Sequence, residues 1–350
     1  MVKKFSRISI VLLIFLLSFL IILKPEVCKN GAFSGLLISG KVIIPSLFPF
    51  TMCVLFIARS GIFNFFEFMT PFLKKLTGLN ANEMIIMILS FIGGYPVGAK
   101  LLNNAVKKGE ISPKRAGTIL NFCVNAGPAF IVTAVGIGIL NSKKCGYIML
   151  LCHILSSLII LFVSGKKLRA EESGVINSNV KSINASDNFV LSAAEASATV
   201  LSICGFVIIF SVINAYVDSL MGDLVFLKWI SLILEVTNSV AKTNNLYIII
   251  FLLGFSGICV WCQILSVLEE IKISILRFIF YRIFHGLLST LLLYFILKVF
   301  KITLETVAVI KKEYIYSTPI ISISLLLMCI VFAISVVGKK YSGKILEDVI

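Results

Sequence analysis

Residues 84–140 read MIIMILSFIGGYPVGAKLLNNAV, then KKGEISPKR, then AGTILNFCVNAGPAFIVTAVGIGIL, and their reading decides the fold. The first piece is about as long as a membrane span, yet Gly93-Gly94-Tyr95-Pro96 cuts it in the middle. Glycine turns freely and proline cannot continue a helix. The pattern predicts a re-entrant helical hairpin over residues 83–106, its tip near the bilayer midplane and its returning arm starting at Val97. The last piece is long enough to span but carries Asn121, Asn125, Gly127 and Pro128 at its centre. Broken backbone at membrane depth is tolerated only where protein or a water-filled cavity covers it. Hairpin and broken span together predict a binding site.

Composition places the whole chain in the same class. Of 350 residues, 59% are hydrophobic and 14% charged, and mean hydropathy is +1.04, whereas a soluble domain carries roughly 25% charged residues. These values predict an all-α polytopic membrane protein. The net charge of +15 reads as loop lysines and arginines that set orientation, not as a nucleic-acid surface. Nine cysteines are scattered through apolar runs, where cysteine behaves as a small hydrophobe. Cys259 and Cys262 match a C-x-x-C spacing inside a predicted span, with no metal-type partners nearby. The apolar run 8–23 is longer than a signal-peptide core and no A-x-A site follows it, so it reads as an uncleaved first span.

The pattern recurs downstream. After the loop KPEVCKN come a proline-kinked span over 32–60, an interfacial stretch over 61–80 and the hairpin with its broken span. A span over 145–165 and a polar basic stretch follow. Residues 224–245, LVFLKWISLILEVTNSVAKTNN, form a second hairpin with Glu235, Thr237, Asn238 and Ser239 at its tip. The span after it is interrupted at Gly254-Phe255-Ser256-Gly257. The order "hairpin, then broken span" thus occurs twice, about 130–140 residues apart, and paired interrupted segments point to a transporter's central site. The expected division is an anchor over 1–30, a first repeat over 31–165, a cytoplasmic linker over 166–188, a second repeat over 189–300, and a last span with tail over 301–350. With the N-terminus inside, eight spans leave roughly twenty Lys/Arg inside against about eleven outside. Lys298 to Lys312 dissents. The two hairpins then enter from opposite sides, as an inverted repeat requires.

Several polar residues stand at the tips and breaks. Helix N-termini favour anions, and Pro128 suits a first helical turn. Asn121 and Asn125 share a helix face and would either contact a polar substrate or satisfy the freed backbone. A carboxylate in a span costs roughly 2.5–3.5 kcal/mol on insertion scales. Glu235 therefore reads as a coupling site for a proton or sodium ion, a substrate contact, or an interfacial residue if the hairpin is shallow. Lys100 would meet a carboxylate or snorkel to the surface. Arg282 and His285 share a face, and Arg282 would bind substrate, Glu235 or a backbone carbonyl. No nucleophile–base constellation, phosphate loop or metal-ligand set is visible, so no enzyme is expected.

PSLFPF, GGYPVGAKL, the N-x-x-x-NAGPAF segment, the GFSG break and Arg282-x-x-His285 resemble the YlbJ-type sporulation integral membrane proteins, over about residues 35–291. The resemblance implies paired Gate, or nucleoside-recognition, domains and a fold similar to concentrative nucleoside transporters. It also implies transport of dipicolinic acid from mother cell to forespore across the outer forespore membrane. The positions it carries over are Gly94, Tyr95, Pro96, Lys100, Asn121, Asn125, Pro128, Ser256, Arg282 and His285. Partners so implied are a small carboxylate and the lipid bilayer, with a homo-oligomer left open. No cofactor is implied beyond a coupling H+ or Na+. The rivals are a carrier of nucleosides or other small carboxylates, a gated channel, and a non-transporting sporulation scaffold. Dense aromatic and Asn, Gln and Glu contacts without an essential cation would favour the nucleoside.

Overall fold

The computed structural model describes Phe15, Ser18, Phe19 and residues 21–61, 68–170, 184–220, 225–243 and 245–302. Most of the expected first span, part of the linker, and the expected last span and tail lie outside the described residues. Those described are helical, with no strand among them. Five helices are long and apolar enough to cross a membrane: Pro25–Arg59, Lys143–Ala170, Ala185–Leu220, Leu246–Val267 and Ile275–Val299. The chain is an all-α, multi-pass membrane protein.

Helix α1 (Pro25–Arg59) departs from expectation, because the anticipated loop at 24–30 is helical from Pro25 onward. Proline at the first turn needs no N–H partner, so Pro25 starts the helix rather than preventing it. Pro45 and Pro49 do not end it either. The turn Ser39–Ile43 widens to a π-helix, and the Ser46 hydroxyl donates to the Val42 carbonyl, local departures that keep the helix continuous around its prolines. Of the interfacial stretch, α2 (Thr70–Thr77) is described, and it meets the next helix at 69°.

The first hairpin is α3 (Ala81–Gly93) and α4 (Tyr95–Lys107), turning on Gly94 at φ +87°. The returning arm thus begins at Tyr95, two residues before the expected Val97, with Pro96 in its first turn. At the hairpin base Asn80 and Glu83 form a reciprocal capping box. Glu83 also pairs with Arg115, which donates to the Leu168 and Gly78 carbonyls as well. Arg115 was part of an apparently exposed basic loop in sequence. It is 0% exposed, because four acceptors converge on its fork.

The first broken span is α5 (Pro113–Cys123), an irregular stretch over 124–127, and α6 (Ala129–Ile139), a wide π-type helix. Pro128 is helical, at φ −58° and ψ −36°, and stands at the start of α6, where the Phe130 and Ile131 N–H groups donate to the Gly127 carbonyl. Helices α7 (Lys143–Ala170) and α8 (Ala185–Leu220) follow. The second hairpin is α9 (Val225–Leu234) and α10 (Val236–Ala241), turning on Glu235. The second broken span is α11 (Leu246–Phe255) and α12 (Gly257–Val267), and α13 is Ile275–Val299.

Helix α8 orders these parts. Near its start, Glu195 pairs with Lys100 of the first hairpin and with Arg59 of α1. Ile203 and Val207 reach the two tips. Farther on, Ser211 accepts from Asn238 and Asp218 pairs with Lys242 of the second hairpin. The two hairpins therefore approach each other from opposite ends of α8. Lipid supplies no hydrophobic drive between helices, so close backbone packing does the holding. A methyl on Gly98 would lie 2.2 Å from the Cys123 carbonyl, and one on Gly254 would lie 2.6 Å from Gly286.

Candidate functional site

The hairpin tips face one cavity of about 40 Å3. Gly94, Tyr95 and Pro96 line it from the first tip, and Glu235, Val236 and Thr237 from the second. Gly127 and Phe130 come from the first broken span, and Val260 and Gln263 from the second. Each break rests on its own tip. A methyl on Gly127 would stand 3.2 Å from the Ile92 carbonyl and 3.3 Å from Gly94. One on Gly257, which already has φ +77°, would stand 3.2 Å from the Val236 nitrogen. The halves are cross-tied, since the Tyr95 hydroxyl donates to the Leu253 carbonyl at 2.5 Å.

Glu235 is 1% exposed. Its carboxylate oxygens accept from the Thr237 and Asn238 N–H groups at 2.9 and 2.7 Å. The second tip thus holds its own anion, and those donors are not free for a substrate. The first tip has no such cap, because no side chain bonds the start of α4. Asn238 turns its amide away, donating to Ser211 at 3.0 Å.

The other expected residues divide by location. Arg282 does not meet Glu235. Its two terminal nitrogens donate to the Val124 and Asn121 carbonyls, each at 2.5 Å. Those are the acceptors freed where α5 ends, so the guanidinium holds the break in shape. Asn125 does similar work, donating to the Phe122 carbonyl and accepting from Ser157. His285 lies behind the break against the His153 carbonyl at 3.1 Å. Ser256 supports the second break at φ +70° and donates to the Phe255 carbonyl. Lys100 is not in the tip cavity: it donates to Thr199 at 2.6 Å and pairs with Glu195 at 3.0 Å. Asn121 opens onto a different cleft.

Sequence reasoning missed His153, Gln263 and Glu195. The His153 ring accepts from the Ala126 N–H at 2.9 Å, another group freed by the break, and its ring lies 4.4 Å from that of His285. The available signals were a histidine and two serines inside the apolar run MLLCHILSSL, and a Gln nearly two turns after the second break.

Two larger cavities flank the tips. One of about 330 Å3 is lined by Lys41, Pro45, Ser46, Thr133 and Thr237. The other, about 230 Å3, is lined by Leu55, Ala58, Arg59, Lys107, Lys108, Glu110 and Glu195. Helix α1 lines all three: Ile43 and Leu47 at the tips, Lys41, Val42, Pro45 and Ser46 at the same level on a neighbouring face, and Leu55 to Arg59 farther along. At 1.5 Å per residue, Lys41 to Arg59 spans roughly 27 Å, close to the hydrocarbon thickness of a bilayer. Thr237 belongs to both the tip cavity and the cavity beside it.

No protein-family model matches the chain, and no solved structure matches it significantly. The chain is 24% identical over 330 residues to the sporulation integral membrane protein YlbJ of Bacillus subtilis strain 168, with 81% of each protein covered. That similarity, which runs over most of both chains, supports a YlbJ-like family assignment.

Proposed function

We propose that the protein is a carrier that moves a small polar solute between the two flanking cavities by way of the hairpin tips. Its two halves would act as an inverted repeat, and the hairpins would reach the membrane midplane from opposite faces. The observation that carries this reading is the meeting of both tips and both breaks at one small cavity, with α1 lining it and both larger cavities. The tip cavity, at about 40 Å3, is far below the roughly 300–1,000 Å3 of ligand pockets. It corresponds to a closed gate that opens by rocking of one hairpin bundle against the rest. No enzymatic step belongs to this reading.

The relative is a sporulation protein, and the resemblance in the tip and break motifs favours dipicolinic acid crossing the outer forespore membrane. Glu235 then acquires a definite task. A dianion beside a buried carboxylate would gather three negative charges in a nearly apolar cavity that holds no lysine or arginine. Burying unpaired charge is costly, so dipicolinate must travel with cations. A proton or sodium ion at Glu235 is the coupling site. A second reading rests on the same lining: Glu235, Thr237 and Gln263 without a cation suit a neutral hydrogen-bonding solute such as a nucleoside.

The test is uptake of radiolabelled dipicolinate by vesicles holding the purified protein, under imposed proton or sodium gradients, beside Glu235→Gln. Saturable, gradient-driven uptake that is lost in the variant supports the coupled carrier. Uptake of a labelled nucleoside but not of dipicolinate favours the second reading. No uptake of either solute under any gradient rejects the carrier in favour of a scaffold.

A further inference from the structure

A cleft of about 90 Å3 lies apart from the tips, between the start of α5 and the segment leading into α13, lined by Lys114, Asn121, Lys272, Ser274 and Arg277. That volume is roughly three waters' share of the liquid. Among the described residues, Lys114, Lys272 and Arg277 join no ion pair. The long helix α13 starts at the cleft, and the side chain of its N-cap Ser274 makes no cap hydrogen bond. Its first N–H groups carry partial positive charge there. Asn121 is 4% exposed. Arg282 engages its main-chain carbonyl, and no hydrogen bond engages its side-chain amide. That amide opens on the cleft.

The acidic neighbours Glu269 and Glu270 do not line the cleft. Glu269 pairs with Lys107 at 2.5 Å, and that hydrogen bond holds the Lys107 ammonium above its ordinary pKa. The Glu269 and Glu270 N–H groups both donate to Asn103, at 3.0 and 2.9 Å, which fixes the segment on the far side. Beside the cleft the first turns of α13 present bare apolar side chains: Ile275, Leu276 at 80% exposed, and Phe280. Leu276 and Phe280 are four residues apart and share a face.

We infer that this cleft is a binding site for a phosphate-type anion, occupied by the headgroup of an anionic phospholipid whose acyl chain lies along Leu276 and Phe280. Lys272, Arg277 and Lys114 supply charge, and the α13 N-terminus and the Asn121 amide supply N–H donors. The apolar rim is what selects a lipid over free phosphate, because a free ion has no use for it.

Full-length protein in detergent would be titrated with phosphatidylglycerol, with phosphatidylcholine and with inorganic phosphate, reading the thermal unfolding midpoint. Phosphatidylglycerol is expected to raise the midpoint and phosphatidylcholine to leave it. The double variant Lys272→Gln/Arg277→Gln is expected to weaken the phosphatidylglycerol effect by roughly fivefold per charge removed. All the altered side chains are solvent-exposed, so the fold should persist. Lys298→Gln, at the far end of α13, serves as the control and should bind as the parent does. Equal protection of parent and double variant by phosphatidylglycerol, or equal protection by phosphatidylcholine, overturns the site. Equal protection by millimolar phosphate overturns the lipid as its occupant.

Discussion

At the first tip the chain turns on Gly94, with φ +87° and no side-chain cap, whereas at the second it turns on Glu235, whose carboxylate caps α10 itself. The bases differ as much as the tips. The first hairpin is anchored by the Glu83–Arg115 pair, buried with four acceptors around one guanidinium. The second is held by Lys242 and Asp218, each about a third exposed, with Ser231 and Asn214 nearby, and its outgoing arm leaves Trp229 55% exposed. Similar shapes are thus made by an element with an uncharged tip and a buried base, and by one with a charged tip and a part-exposed base. In a rocking carrier the second would move and the first would serve as the frame.

The largest expected effect is at the frame. Arg115→Ala strands a buried carboxylate and should destabilise the protein by about 3–5 kcal/mol, seen as loss of folded, monodisperse material in detergent. Unchanged yield and melting would mean that the first hairpin is not anchored there. Next comes Gly98→Ala, whose new methyl meets a backbone carbonyl that cannot swing aside. A loss of about 1–3 kcal/mol in thermal unfolding is expected, and no loss would show that the hairpin arm has room to shift.

Glu235→Gln sharpens the contrast, because an amide oxygen can still accept from one N–H while the charge is gone. Stability should fall by no more than about 0.5–2 kcal/mol, the range of a weakened helix cap, while coupled uptake is lost. A variant that melts like Arg115→Ala would make Glu235 structural instead. The smallest effect is at the outer base. Asp218→Asn should cost under about 1 kcal/mol yet speed deuterium exchange in residues 225–243 relative to residues 81–107. Equal exchange in both hairpins would remove the distinction between frame and moving part.

The tips and breaks were legible because they are written locally. Gly93-Gly94-Tyr95-Pro96, Asn125 to Pro128 and Ser256-Gly257 are residues that cannot sit quietly inside a span. A polar run such as Glu235 to Ser239 stands out against apolar flanks in the same way. What stayed hidden is long-range pairing. Glu83 and Arg115 are 32 residues apart, and Lys100 finds Glu195 rather than a solute. His153 reads as a stray residue until the break places the Ala126 N–H beside it. The mistaken loop before α1 has a different origin, since Pro25 looks like a breaker unless it is known to stand at a helix start.

The near-absence of space between the tips has a consequence for measured affinity. If the protein is the proposed carrier, an unloaded form whose central cavity is about 40 Å3 is a closed one, and the apparent dissociation constant would be the intrinsic one divided by the open fraction. If about 1% of molecules are open, observed binding is about a hundredfold weaker than the contacts alone provide. Trimming a cavity wall, as in Val260→Ala, would then tighten apparent binding while removing a contact.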